Sequence, residues 1–291
     1  MTDTKKSLKE KNYTKKRKIV FAVVGVFFFL YSLTYVFTFL WAFVTSLRDK
    51  LTFIREPFAL PDKLHFSNYV EAFKVLQIDG NNLFNLIFNS VWFAGFSTII
   101  NVFTTNVTAY CVAKYRFYGR NAIYNVAIFT MLISVVGALP ATYELLGNLN
   151  LLDSPLYLVT YASGLGFNFL LMYGFYKNLS WSFAEAAFVD GGGHYAIFFR
   201  IMLPQSMPMF VALAIVQFIG LWNDYMTPLL FLRDYPTLAS GLYLFQFVPS
   251  IRSNYPLYYA SILIATVPIV VLYTCFQETI MTNTVAGGLK G

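Results

Sequence analysis

The stretch KNLSWSFAEAAFVDGGGHYAIFFRIMLPQSMP, residues 177–208, lies between two apolar runs and is unlike a short turn joining two helices. Ser182 and, three residues later, Glu185 have the spacing of a capping box, in which the hydroxyl takes an orphan N–H and the carboxylate reaches back to the cap. That predicts a helix beginning at Phe183. Gly191, Gly192 and Gly193 in succession predict an early end, because each costs about 1 kcal/mol relative to Ala inside a helix. A second helical run over residues 195–203 then reaches Pro204, and Pro208 enters the next apolar run. The result is a short helix, a flexible corner and another helix. The first helix presents Ala186, Ala187 and Phe188, which have no membrane-length run to bury them and therefore call for a partner surface.

Outward from this stretch the chain is apolar. Of 291 residues, 57% are hydrophobic and 12% charged, against about 45–50% and 25% in soluble domains. Aromatic residues make up 19%. A hydrocarbon core about 30 Å thick needs about 20 apolar residues in a helix, and six runs qualify: residues 19–46, 83–113, 122–146, 155–176, 207–232 and 257–276. The first is too long for the apolar region of a signal peptide and is expected to stay as an anchor. These runs predict an all-α integral membrane protein with six transmembrane helices, in which residues 1–18 are a basic tail and residues 19–291 the membrane domain.

With the N-terminus inside, segments 1–18, 114–120, 177–204 and 279–291 hold 14 of the 21 Lys and Arg. That follows the positive-inside rule and puts both termini in the cytoplasm. The cluster Lys15, Lys16, Arg17, Lys18 is read as topogenic charge rather than as a nucleic-acid or lipid patch. Residues 47–82 and 233–256 then lie outside, the first holding NYVEAFKVL, in which Tyr69, Phe73 and Leu76 recur at helical spacing.

Catalytic patterns are missing from the sequence. It holds no GxxxxGK[ST] phosphate loop, GxSxG elbow or HExxH helix, so no nucleotide chemistry, catalysis or metal is expected of the chain itself. Cys111 and Cys275 are isolated in apolar runs, and His65 and His194 fall on opposite sides of the membrane. Polar residues within spans mark a path or a partner, because hydrocarbon burial is costly. Glu144 follows Pro140 in the third run, and Trp222, Asn223 and Asp224 stand in the fifth. Such groups can face a polar solute, although Trp also builds interfacial belts and Asn joins helices.

The spacing Glu185-Ala186-Ala187, three residues, Gly191, nine residues, Ile201, one residue, Leu203-Pro204 resembles the EAA loop of ABC importer permeases without a gap. Asp190 before Gly191 and Pro208 after the motif are similar to the carbohydrate, maltose-type branch. So are Asn89-Ser90, Ala109-Tyr110 with Phe117 and Gly119, Trp222-Asn223-Asp224 with Pro228-Leu229, and the closing AGGLKG. The resemblance covers nearly all of residues 19–291. It implies a translocation subunit that pairs with a second homologous permease, a cytoplasmic ATPase dimer and an extracytoplasmic sugar-binding protein in a bacterial cell membrane. Glu185, Ala186, Ala187, Asp190, Gly191, Ile201, Leu203 and Pro204 would then form the coupling element that docks on the ATPase. One departure stands out: that family often has Ala or Ser where this chain has Gly192 and Gly193, which would loosen the corner. The competing reading is a secondary transporter or channel that needs no ATP. It would be expected to carry an inverted repeat, and none is evident.

Overall fold

The computed structural model describes the backbone of residues 2–75, 77–132, 137–248 and 254–286, and side chains within 17–74, 77–132, 137–248 and 254–278. Leu76 and residues 287–291 of AGGLKG, singled out above, lie outside these residues, and of Lys15, Lys16 and Ala286 only the backbone is described.

Helix α1 (Thr2–Ser46) carries the basic tail and the first apolar run as one continuous helix. Two short helices follow, α2 (Lys50–Arg55) and α3 (Ser67–Val75), the former capped by Asp49, whose carboxylate accepts from Leu51 and Thr52 N–H. The expected stripe on α3 is rotated. Asn68 and Ala72 are its buried residues, and Phe73 is exposed. A small hairpin comes next, Gln77–Ile78 against Asn81–Asn82, pairing Gln77 with Asn82 and Ile78 with Asn81. Its turn, Asp79-Gly80, has φ of 49° and 81°, the left-handed pair that a two-residue hairpin requires.

Helix α4 (Leu83–Lys114) is the central strut of the fold, N-capped by Asn82. After it come α5 (Arg120–Leu132), α6 (Leu139–Asn148), a 3-10 helix (Pro155–Tyr161) and α7 (Phe167–Asn178). Next are α8 (Ser182–Val189) and α9 (His194–Ile197), which passes through a π turn (Phe198–Met202) into α10 (Leu203–Trp222). Two short helices, α11 (Met226–Phe231) and α12 (Leu238–Phe245), precede the last long one, α13 (Tyr255–Ala286).

Among the described residues, four helical stretches are long and apolar enough to cross a membrane: Arg17–Ser46, Leu83–Lys114, His194–Trp222 and Tyr255–Glu278. They answer to the first, second, fifth and sixth apolar runs. The third and fourth runs are not single helices. The third is divided between α5 and α6, with residues 133–136 outside the described ones, and the fourth between the 3-10 helix and α7. The fifth is also displaced, since its helix starts at His194, passes both Pro204 and Pro208, and stops at Trp222. Asn223 caps that stop by donating from Nδ2 to Ile219 O at 2.8 Å.

Apolar burial forms two clusters, one at each end of α4. Leu86 and Phe93 pack with Leu221, Trp222, Phe245 and Leu257 at one end. At the other, Val102 and Tyr110 pack with Phe169, Met172, Ile197 and Met202. A buried polar knot sits in the second cluster. Tyr176 hydroxyl donates to Asn106 Oδ1 at 2.7 Å, and Asn106 Nδ2 donates to Ser206 Oγ at 3.1 Å. Ser206 Oγ in turn donates to Leu203 O at 2.9 Å. All three side chains are fully buried, so α4, α7 and α10 are joined where an unpaired polar atom would be expensive.

Candidate functional site: the 177–208 corner

Helix α8 is where the sequence places a short cytoplasmic helix, but it is not started by a capping box. It begins at Ser182, with Ala184 N–H and Glu185 N–H both donating to Trp181 O. Ser182 Oγ pairs instead with Ser180 Oγ at 2.7 Å, and Ser180 Oγ also accepts from Ser182 N–H. The Glu185 side chain is thereby left exposed and makes no hydrogen bond or ion pair with the described residues.

The C-terminus is closed by backbone geometry. Gly191 has φ of +80°, its N–H donates to Phe188 O at 3.0 Å, and Gly192 N–H donates to Ala187 O at 2.8 Å. Those two bonds are the Schellman pattern, which needs a left-handed residue at the position Gly191 fills. The corner is therefore not loosened by the run of glycines. Two of its residues are held in defined bonds, and Gly193 leads into α9.

One side of α8 faces the bundle. Ala184 is fully buried, Ala187 and Phe188 are half-buried, and Phe183, Glu185, Ala186, Val189 and Asp190 are exposed. Ala186 thus belongs to the outward face, whereas Ala187 and Phe188 already have partners within the chain. Ile201 is half-buried in the π turn, Leu203 half-buried and Pro204 exposed at the start of α10. A proline at position 204 has no N–H for the carbonyl four residues back and would clash with it in a regular α-helix. The wider π turn just before it relieves both problems.

An aromatic clamp ties the corner to the end of α4, and the sequence motif does not include it. Tyr115 hydroxyl is 2.9 Å from His194 Nδ1 and 3.1 Å from Tyr110 hydroxyl. The Tyr115 ring meets Trp181 at 5.9 Å and His194 at 5.4 Å, and Phe188 on α8 meets His194 at 5.0 Å. Lys114 Nζ donates to Leu179 O and stands 5.9 Å from the Trp181 ring centroid. α8 is consequently fastened to two long helices, α4 through Lys114 and Tyr115 and α10 through the π turn. The only sequence signal for the clamp is the density of aromatic residues around both turns.

Of the candidate path residues, Trp222, Asn223 and Asp224 lie toward the opposite end of α4, each engaged in holding the fold. Trp222 is buried at 4% exposure, and its indole N–H donates to Ala265 O on α13 at 3.2 Å. This Trp is a strut between α10 and α13. Asn223 caps α10, and Asp224 Oδ1 accepts from Thr227 N–H at 3.0 Å to start α11. Glu144 is exposed on α6, while its neighbour Tyr143 packs on Phe231 at 6.2 Å. Among the described residues no three His, Cys, Asp or Glu side chains are grouped to hold a metal.

The fold is a bundle of long apolar helices with a closed corner at α8 between two of them. Residues 105–280 match the family described as binding-protein-dependent transport system inner membrane component, and the chain belongs to that family. It is similar to the diacetylchitobiose uptake system permease protein NgcG of Streptomyces coelicolor, at 29% identity over 92% of this chain and 89% of that one. The arabinooligosaccharides transport system permease protein AraQ of Bacillus subtilis is 27% identical over 91% of this chain and 94% of its own. The trehalose/maltose transport system permease protein MalG of Thermococcus litoralis is 29% identical over 94% and 98%. A chain from the crystal structure of a bacterial ABC transporter involved in the import of the acidic polysaccharide alginate shares the fold. Its TM-score is 0.74 at 22% identity, covering 90% of this chain and 96% of that chain.

Proposed function

We propose that this chain is the carbohydrate-translocating permease subunit of a bacterial ABC importer, and that the 177–208 corner transmits the work of a separate ATPase. The sugars in the names of the three relatives support the substrate class. The observation that carries the coupling role is α8 itself, closed by the Gly191 turn, clamped to α4 and packed against the π turn through which α9 runs into α10. Its outward face offers small Ala186 and the uncommitted carboxylate of Glu185, a surface suited to entering a groove on a soluble partner. A push on α8 would then move α4 and α10 together.

In this reading the chain crosses the membrane six times, with both termini and the corner in the cytoplasm. The third and fourth crossings are made by the broken segments α5–α6 and 3-10–α7. Interrupted backbone at membrane depth is tolerated where it is buried in protein or lines a wet cavity, which supports reading these crossings as covered by, or facing a path shared with, a second homologous permease. An extracytoplasmic sugar-binding protein delivers substrate to the end bearing Glu144, Asn223 and Asp224. Lys15, Lys16, Arg17 and Lys18 anchor the orientation at the inner surface.

Uptake of labelled oligosaccharide into proteoliposomes containing the whole complex tests the assignment. It should require internal ATP and external binding protein, and Ala186→Arg should abolish it while leaving the chain inserted. Uptake driven by a proton or sodium gradient without ATP would support the secondary-transporter reading instead.

A further inference from the structure

Where the fourth apolar run is interrupted, between the 3-10 helix and α7, the break is packed against α4 but not covered elsewhere. Asn101 on α4 donates from Nδ2 to Tyr161 O, the last carbonyl of the 3-10 helix, at 3.1 Å. Gly164 is buried at φ of +63°. It lies so close to α4 that a Cβ there would stand 2.6 Å from Thr108 Oγ1 and 3.4 Å from Thr104 O. Ala162, Ser163 and Phe167, by contrast, are exposed. Gly166, which starts α7, has no side chain to cap the first turn, whose N–H groups lack intrahelical partners.

Beside the break stands a pair of amides. Asn168, in the first turn of α7, donates from Nδ2 to Gln217 Oε1 on α10 at 3.2 Å. Asn168 precedes the end of α7 at Asn178 by ten residues, about 15 Å at 1.5 Å per residue and half of a hydrocarbon core about 30 Å thick. Unlike the knot of Tyr176, Asn106 and Ser206, which is fully buried, this link is only half-buried. Asn168 Oδ1 and Gln217 Nε2 have no partner among the described residues, and both atoms open onto the surface of the chain. A free acceptor and a free donor are costly against lipid tails, so this face of α7 and α10 meets something polar. Residues 155–176 and 203–222 contain no Lys, Arg, Asp or Glu. The groups on offer are thus neutral, with the ring of Phe167, 60% exposed, next to them.

We propose that Asn168 and Gln217, with the open edge of the break at Ser163 and Phe167, are the sugar-contacting wall that this chain contributes to the translocation path. The inference rests on the carbohydrate-importer reading above, and it puts the contact deeper than the entry end marked by Glu144 and Asp224. Neutral amides that both donate and accept match the hydroxyls of a neutral sugar, and an exposed ring suits the C–H face of a pyranose. A few polar groups among aromatic and apolar ones is the usual make-up of a small-molecule site. Interrupted helices near the bilayer midplane are where transporters build such sites. Here the break supplies free backbone and the amide pair supplies the side chains.

The test uses the whole complex in proteoliposomes, with Cys111 and Cys275 replaced by Ala and one cysteine introduced by Asn168→Cys, Gln217→Cys or, for comparison, Val26→Cys on the exposed surface of α1. A membrane-impermeant cationic methanethiosulfonate should label positions 168 and 217 during ATP turnover and stop uptake, while position 26 stays unlabelled in hydrocarbon. Binding protein loaded with the transported oligosaccharide should slow labelling at 168 and 217 several-fold relative to unloaded binding protein. Asn168→Leu combined with Gln217→Leu should lower the uptake rate about tenfold, the worth of roughly one hydrogen bond, and the exchanged pair Asn168→Gln with Gln217→Asn should restore most of it. Labelling that the loaded binding protein does not slow, or no labelling at 168 and 217 in a complex whose uptake still requires ATP, would overturn the wall and leave the importer reading standing. A dominant disulfide from either cysteine to another protein chain would also overturn it, by putting a subunit contact there. Uptake that needs no ATP would remove the importer reading itself and the wall with it.

Discussion

Gly191 is the residue on which the corner depends most, and the reason is its backbone. At φ of +80° a residue with a Cβ is strained, by about 1–2 kcal/mol for a left-handed helical conformation. No heavy atom lies within 4 Å of where that Cβ would stand, so the strain is not compounded by a clash. Gly191→Val should therefore cut sugar uptake strongly, while Gly191→Asn should keep most of it, since Asn tolerates the left-handed region. Equal uptake by both variants would separate transport from the closing turn. The Asp79-Gly80 turn shows the same chemistry in a place where the spacing of the flanking residues gave no strand signal. Gly191 was legible in the sequence as a helix end, but the bonds from Gly191 and Gly192 that make the corner rigid were not. Glu185 was misread as a cap because a capping box and an exposed carboxylate share one spacing, and only the backbone at Trp181 and Ser182 tells them apart.

At the scale of elements, the long helices were readable because hydrocarbon thickness sets a length that apolar runs either meet or miss. The second run matches α4 almost to the residue. The third and fourth were read as continuous from their apolar content, although Gly137 and Pro140 in the third and Gly164 and Gly166 in the fourth stand where helix gives way and restarts. The fusion of α9 with α10 was equally hidden, since Pro204 reads as a boundary until the π turn that accommodates it is seen. Two predictions belong here. Tyr115→Phe removes the hydroxyl that bridges His194 and Tyr110, a loss of roughly 1 kcal/mol per bond. It should lower uptake per ATP hydrolysed more than it lowers the thermal midpoint of the complex. Tyr176→Phe leaves Asn106 Oδ1 short of its donor inside the bundle, at a cost of about 1–3 kcal/mol. It should lower that midpoint clearly, and an unchanged midpoint would show that α4, α7 and α10 are held by apolar packing alone.

For the molecule as a whole, the two packed ends of α4 divide the work. The end near Trp222 is braced by bonds to backbone, with Asn89 Nδ2 donating to Pro236 O at 3.0 Å and Leu238 N–H to Ser90 Oγ at 2.7 Å. The other end carries the corner and its clamp. That asymmetry explains why the proposed coupling element was legible in one stretch of sequence whereas a sugar path was not. The corner is local and motif-encoded. Trp222, Asn223 and Asp224 are engaged in holding α10, α11 and α13, and Glu144 is exposed on α6, so no single motif marks a path. If the importer assignment holds, the isolated chain should hydrolyse no ATP, and hydrolysis by a preparation free of other subunits would contradict it.

The measurement that bears most directly on the central claim is purification of the tagged chain from its native membrane in mild detergent, beside an Ala186→Arg form, with co-purifying proteins quantified by mass spectrometry. The account predicts stoichiometric recovery of a second permease and an ATPase with the unaltered chain, and of the permease without the ATPase when Ala186 is replaced. Recovery of the chain alone in both forms, or undiminished ATPase with Ala186→Arg, would contradict it.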